Sequence, residues 1–254
     1  MYLRLVQSRF KPEFLERIKK IYDEKILSAL QHTRGCLCAC LIQNEVEKDE
    51  GLSITLWDSR QHAEDYVKSG LFRQLLDQLK PYLMDSSEWK IQLSEDLKLE
   101  YQPVPEEPTV SSYTTLAGKD RIISLKNKTV QMHLRILRIK VKENKMDELK
   151  LIYEQHILPQ LQSVEGFHYG HLSENTEQSN EAISFTLWQS KEDAERYEAS
   201  GLYRDFMNQT KHTFSELYQW KMTLDKSTHR KMVTSEDAEV VTYTLVSGRS
   251  FDRE

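Results

Sequence analysis

The chain has 254 residues, 39% of them hydrophobic and 30% charged, with 8 Gly, 6 Pro and a net charge of -5, the profile of a globular protein with a core of its own. Both signs of charge are mixed along the sequence and no Lys/Arg stripe is interleaved with aromatics, which argues against nucleic acid as a partner. No run approaches the roughly 20 apolar residues of a membrane span, and MYLRLVQSRF is too short and polar for a secretory signal.

Shifting the sequence by 131 positions lays Gly35 on Gly166, Trp57 on Trp188, Tyr66 on Tyr197, Gly70 on Gly201 and Trp89 on Trp220 without a gap. The chain therefore reads as a tandem duplication, with domains at 1–118 and 119–254. Each copy opens on an alternating run, YLRLVQ and HLRILRIKV, in which Leu3 and Leu5 (Leu134 and Ile136) face one way and Arg4 (Arg135) the other, the period of a strand. A helix follows, with Pro12 near its first turn. Phe14, Ile18, Ile21, Tyr22 and Ile26 form its apolar stripe, repeated by Met146, Leu149, Ile152, Tyr153 and Ile157. Gly35 and Gly166 end it, after which CLCACLIQ or FHYGHLS reads as a second strand and LSITLW or ISFTLW as a third. Ser59 and Ser190 stand where a second helix should be capped, the pairs Ser69-Gly70 and Ser200-Gly201 break it, and WKIQL or WKMTL supplies a fourth strand.

The order β-α-β-β-α-β is the ferredoxin-like split motif, an antiparallel sheet with helices on one face. Its bare face needs a cover, and the second copy supplies one. The expected fold class is α+β: two ferredoxin-like domains with antiparallel sheets packed face to face, a pseudo-dimer and barrel within one chain. Each copy ends in a strand-like tail, TVSSYTTLAG after the extended linker QPVPEEP, and EVVTYTLVSG, able to pair with the edge of the opposite sheet. Further association of whole chains into a homo-oligomer would use exposed sheet edges.

SITLWDSRQHAEDYVKSG and its repeat SFTLWQSKEDAERYEASG, preceded by RGCLCACLI and EGFHYGHLS, resemble the antibiotic biosynthesis monooxygenase family of dimeric α+β barrels. The resemblance covers roughly 1–95 and 131–226 and rests on the strand-loop-helix pattern. It implies a barrel with a small-molecule cavity in each half. The activities it implies include cofactor-independent oxygenation of phenols, quinol monooxygenation and haem degradation, beside members that do no known chemistry. The haem-degrading branch uses an Asn on strand one, a Trp ending strand three and a His on the next helix. Here the tryptophans are present, but strand one carries Arg4 and Arg135 and SGLFRQLL and SGLYRDFM hold no His, so haem degradation is disfavoured and no cofactor is expected.

If Leu3, Leu5, Ile54 and Leu56 pack under the helices, period-two geometry turns Arg4, Ser53, Thr55 and Trp57 toward the barrel interior, with Arg135, Ser184, Thr186 and Trp188 in the second half. A polar, aromatic face suits a small aromatic or hydrophobic molecule; the plainer alternative is a seam of salt bridges over core tryptophans. Oxygenation without metal or flavin needs a substrate that loses a phenolic or enolic proton and then reduces dioxygen itself. His133, on the face of Arg135, and His171 are the candidate bases, with Arg135 steadying the anion and Trp188 and Tyr169 gripping the ring. Their counterparts in the first half are Tyr2 and Cys40, so a site of this kind is expected in the second half alone. Each histidine has a plainer reading as a structural hydrogen-bonder, and no metal site is expected: Cys36, Cys38 and Cys40 are read as pointing to one side of a strand, where thiolates splay too far apart to converge on zinc. Odd in number and crowded together, they also make no disulfide framework, so a cytoplasmic protein is expected.

Overall fold

The computed structural model describes residues 1–93, 99–105, 109–118, 132–178, 180–215 and 238–251. The first copy runs β1 (Tyr2–Arg9), α1 (Leu15–Ile21), a π-helical turn (Tyr22–Ile26), α2 (Leu27–Gln31), β2 (Cys36–Asn44), β3 (Glu50–Trp57), α3 (Arg60–Lys68), α4 (Leu71–Asp77), β4 (Asp85–Leu93), β5 (Leu99–Pro105) and β6 (Thr109–Gly118). The second repeats the pattern with β7 (His133–Lys140), α5 (Met146–Ile152), a π-helical turn (Tyr153–Ile157), α6 (Leu158–Gln162), β8 (Phe167–Asn175), β9 (Glu181–Trp188), α7 (Lys191–Ala199), α8 (Leu202–Thr210) and β10 (Ala238–Ser250).

The expected helix starts are present. Ser59 Oγ accepts from the His62 backbone N–H and Ser190 Oγ from that of Asp193, at 3.3 and 3.2 Å, satisfying orphan donors in the first turns of α3 and α7. Gly166 is required twice over. Its φ of +80° lies in the left-handed region, and a methyl there would sit 2.2 Å from Asp193 Cγ; Gly35, at φ +88°, has the same relation to His62. The π-turns were not legible in the sequence. Pro159 follows the second one and lacks the N–H of a normal helical bond, yet Ser28 at the matching position follows the first, so proline does not cause them.

The structure resolves into two compact units, Arg4–Ser111 with Val246–Glu254, and Met1–Leu3 with Ser112–Leu245. In the first, β3 lies between β1 and β2, the order of a ferredoxin-like sheet. The C-terminal part of β10 runs beside β2, with the Phe251 N–H donating to the Leu37 carbonyl at 2.8 Å. In the second unit β9 lies likewise between β7 and β8. There β10 borders β7 (Thr242 opposite Arg135) and β6 borders β8 (Thr115 opposite Ser173), both antiparallel. The tail of the first copy thus completes the sheet of the second, as its alternation suggested.

Strand four behaves differently from the simplest reading. The chain touches the residue just beyond β1 through one bridge, Phe10 opposite Leu83, and β4 then pairs with β5 in a separate two-stranded sheet. Four of the seven residues of the presumed linker QPVPEEP, Gln102 to Pro105, are therefore strand. Val141 opposite Phe214 repeats the bridge, while WKMTL lies outside the described residues; in the second unit the free edge of β7 is taken by β10.

Candidate functional site

The strand registers assign the side chains to faces. In β7–β9 Arg135 stands opposite Thr186, Leu137 opposite Ser184 and His133 opposite Trp188, and directly paired residues project to the same side of a sheet. Arg135, Ser184 and Thr186 line a cavity with Leu149, Tyr153 and Ile157 of the first helical segment and Tyr197, Tyr203 and Phe206 of the second. The polar face therefore lies beneath the unit's own helices. The same holds in the first copy, where Arg4, Ser53 and Thr55 line a cavity with Tyr22, Ile26, Tyr66 and Phe72. This reverses the expected facing: Leu3, Leu5, Ile54 and Leu56 do not pack under the helices, and Arg4, Ser53, Thr55 and Trp57 do. The physical reason is that alternation separates two sets without saying which one the helices cover. Both sets are buried here, Leu3 and Leu56 as fully as Trp57, so the more apolar face gave no guide.

The same registers divide the predicted constellation. His133, Arg135, Ser184, Thr186 and Trp188 share the helix-facing side. Tyr169 pairs with Leu187 and His171 with Phe185, so both project from the opposite side, where Tyr169 stacks on His171 at 5.3 Å and tilts against Phe185 at 5.5 Å. His171 therefore cannot share a cavity with Arg135, and Tyr169 cannot close on a ring held by Trp188. His133 is buried on the correct face but does not line the cavity. Tyr169 and His171 are turned to the opposite side by a bulge between Phe167 and Tyr169, which alternation cannot foresee. Its counterpart between Cys36 and Cys38 leaves Cys36 opposite Trp57 but Cys38 opposite Leu56. The three cysteines thus do not point to one side. Burial pushes the Cys38 thiol up to about 12, so it is protonated at neutral pH, and no group of three metal-ligating side chains occurs among the described residues.

Each cavity is built to one plan. The Trp57 indole donates to Thr55 Oγ1 at 2.9 Å, and Trp188 donates to Thr186 Oγ1 at the same distance. Trp57 packs on Tyr66 at 5.0 Å and Trp188 on Tyr197 at 4.8 Å, so each indole backs a tyrosine of the cavity wall. The Tyr22 hydroxyl lies 2.9 Å from Ser53 Oγ, and Ser184 donates to the Tyr153 hydroxyl at 3.4 Å. These tyrosines open the two π-turns; read from the sequence they belong to the apolar stripe of the first helix, and their part in the cavity was missed. Their shared position in both copies was the available signal.

Over this polar floor sits a guanidinium. The Arg4 guanidinium carbon lies 4.0 Å from the Phe72 ring centroid, and that of Arg135 lies 5.6 and 5.0 Å from those of Tyr197 and Tyr203, within cation–π range. Arg135 also pairs with the Glu198 carboxylate. Burial raises the pKa of Tyr66, Tyr197 and Tyr203 against the lowering effect of their arginine, and carries Tyr153 up to about 12. All four hydroxyls are thus protonated at neutral pH and able to donate a hydrogen bond to a ligand.

The cavities measure about 60 Å³ in the first copy and about 50 Å³ in the second. An engineered cavity that takes benzene is about 150 Å³, so the walls must give even for one ring. No histidine among the described residues lines either cavity, so these residues offer haem no imidazole ligand there. No helix among the described residues is long and apolar enough to cross a membrane.

Comparison with known proteins bears on the same elements. The family model for antibiotic biosynthesis monooxygenase matches residues 1–78 and 132–209, the two segments that carry most of the lining of each cavity. No curated protein matches the sequence. Among solved structures, a candidate monooxygenase of Fusobacterium nucleatum aligns over 98% of this chain and 94% of its own, with a TM-score of 0.68 and 11% identity. A candidate monooxygenase of Lactobacillus acidophilus aligns over 98% and 95%, with a TM-score of 0.67 and 7% identity. An anthrone oxidase-like protein aligns over 98% and 93%, with a TM-score of 0.57 and 13% identity. At such identities the likeness establishes a shared fold and no more.

Proposed function

Because the chain belongs to the antibiotic biosynthesis monooxygenase family in both of its copies, we propose that it is a cofactor-independent monooxygenase of a small quinol- or phenol-like substrate, held in the cavity between helices and sheet. The observation that carries this reading is the repetition of one polar set, Arg4, Tyr22, Ser53, Thr55 and Tyr66, as Arg135, Tyr153, Ser184, Thr186 and Tyr197. Arginine beside an aromatic wall stabilises a ring oxygen as it loses its proton, in a partly dehydrated setting where such charge stabilisation is strongest. A quinol so ionised supplies every electron the reaction needs. One oxygen atom of O2 enters the ring, the other leaves as water, and the quinol becomes a hydroxyquinone with no external reductant. The three cysteines, none in a disulfide, suit a reducing, cytoplasmic setting.

A second reading, a non-catalytic binder of the same small molecules, is favoured by one feature: among the described residues no imidazole or carboxylate lines either cavity, and the one carboxylate that reaches a cavity arginine, Glu198, is held in an ion pair with it. Oxygen uptake with a panel of single-ring quinols separates the two. The oxygenase reading expects uptake that falls by about 10²-fold or more, the scale of losing one anion-stabilising donor, when Arg4 and Arg135 are both changed to Met. Binding of the quinols without oxygen uptake would leave the binding reading standing and refute oxygenation.

A further inference from the structure

The repeat makes the cavities near copies of each other, and one charged residue breaks the symmetry. Glu198 pairs with Arg135, and the residue matched to it by the duplication is Val67. We infer that Glu198 is a built-in anion latch on the second cavity, occupying Arg135 where the carboxylate or phenolate oxygen of a small aromatic ligand would otherwise bind. This inference deepens the cavity reading above and rests on it.

The two partners of the ion pair differ in what they lose if it opens. The Arg135 side chain is only 7% exposed, against 44% for Glu198. A buried guanidinium without an anion is costly, whereas a half-exposed carboxylate regains water when it swings away. Arg135 is therefore the fixed partner and Glu198 the replaceable one. Arg135 Nε and Nη2 are both buried with no hydrogen-bond partner among the described residues, the Nη2 contact with Glu198 being an ion pair without hydrogen-bond geometry, so the guanidinium has donor capacity that Glu198 does not use. A planar guanidinium can offer a carboxylate two parallel donors. The rings of Tyr197 and Tyr203 flank it, and Leu137, Leu149 and Ile157 complete an apolar wall. An anion entering here must bring an apolar body of its own, which selects a small aromatic carboxylate or phenolate over inorganic phosphate. Val67 shows that the shared fold accommodates an uncharged side chain at this position in the sister copy.

Benzoate titration of the full-length protein by calorimetry tests this, with wild type compared against Glu198→Val and Glu198→Gln. Both variants should acquire a benzoate site at the second cavity about tenfold tighter than the wild type shows there, a change well resolved by the method. Adding Arg135→Met to Glu198→Val should abolish the acquired site, and phosphate should show no comparable gain. If neither Glu198 variant binds benzoate more tightly, the latch is refuted. It is equally refuted if the gain survives Arg135→Met, and an equal gain for phosphate overturns the ligand class. Oxygen uptake is not read in this experiment, so a protein that binds benzoate as expected but never consumes oxygen would count against oxygenation alone.

Discussion

Thr186→Val probes the polar floor of the second cavity with a change of one atom's chemistry and almost none of shape. Trp188 is fully buried and Thr186 is 7% exposed, and the indole N–H reaches Thr186 Oγ1 at 2.9 Å. Valine keeps the branched shape but leaves that N–H facing a methyl group. An unsatisfied buried donor costs roughly 1–3 kcal/mol, and in a chain of this size each kcal/mol moves the melting point by about 2–4 °C. A loss of roughly 4–8 °C in thermal unfolding, followed by far-UV circular dichroism, is therefore expected near the middle of that range. Trp188→Phe removes the donor, so in its background the further change Thr186→Val should cost about 1 kcal/mol less than it does alone. Equal costs in the two backgrounds, or a Thr186→Val variant within about 0.5 kcal/mol of wild type, would show that the bond does not anchor the indole. The account of how Tyr197 is held against the cavity would then be wrong.

Two further outcomes follow from burial and backbone geometry. Tyr153 and Cys38 both titrate near 12 when folded, against about 10 and 8.5 when unfolded, so their contribution is intact below the unfolded values and is lost as pH rises toward 12. The urea midpoint should be flat to about pH 8 and fall above about pH 9, and Cys38→Ala with Cys40→Ala should delay the fall to about pH 10, where tyrosine begins to ionise; an unchanged onset would contradict the burial of these thiols. Gly166→Ala should destabilise more than Gly70→Ala. Both residues have φ +80°, but a methyl meets Asp193 at the first and nothing within 4 Å at the second, so the two share a left-handed backbone cost of roughly 1–2 kcal/mol and only Gly166 adds a collision. Equal melting points for the two variants would refute the close approach.

Much of the architecture is visible in the residues because duplication prints each element twice. Ser59 and Ser190 cap where their spacing says, and the alternating tails become β6 and β10. The path of strand four was hidden, since WKIQL alternates equally well whether it borders β1 or β5. The site was legible as a set and misread in orientation. Arg135, Thr186, Ser184 and Trp188 do gather on one face, as do Arg4, Ser53, Thr55 and Trp57, but the side the helices cover depends on packing between elements far apart in sequence. A bulge after Phe167 turned Tyr169 and His171 to the other face, as its counterpart after Cys36 turned Cys38 and Cys40, and a bulge has no period of its own to betray it. Glu198 escaped notice because it lies on a helix rather than a strand, and only its pairing with Arg135 gives it a role.

The claim on which the rest depends is that ligands enter between helices and sheet, on the face carrying the arginines. A crystal structure of the protein soaked with hydroquinone tests it directly. The account predicts density for the ring beside Arg4 and Tyr66 or beside Arg135 and Tyr197, with a wall side chain displaced to admit it; density against Tyr169, His171 and Phe185, on the opposite face of the sheet, would contradict it.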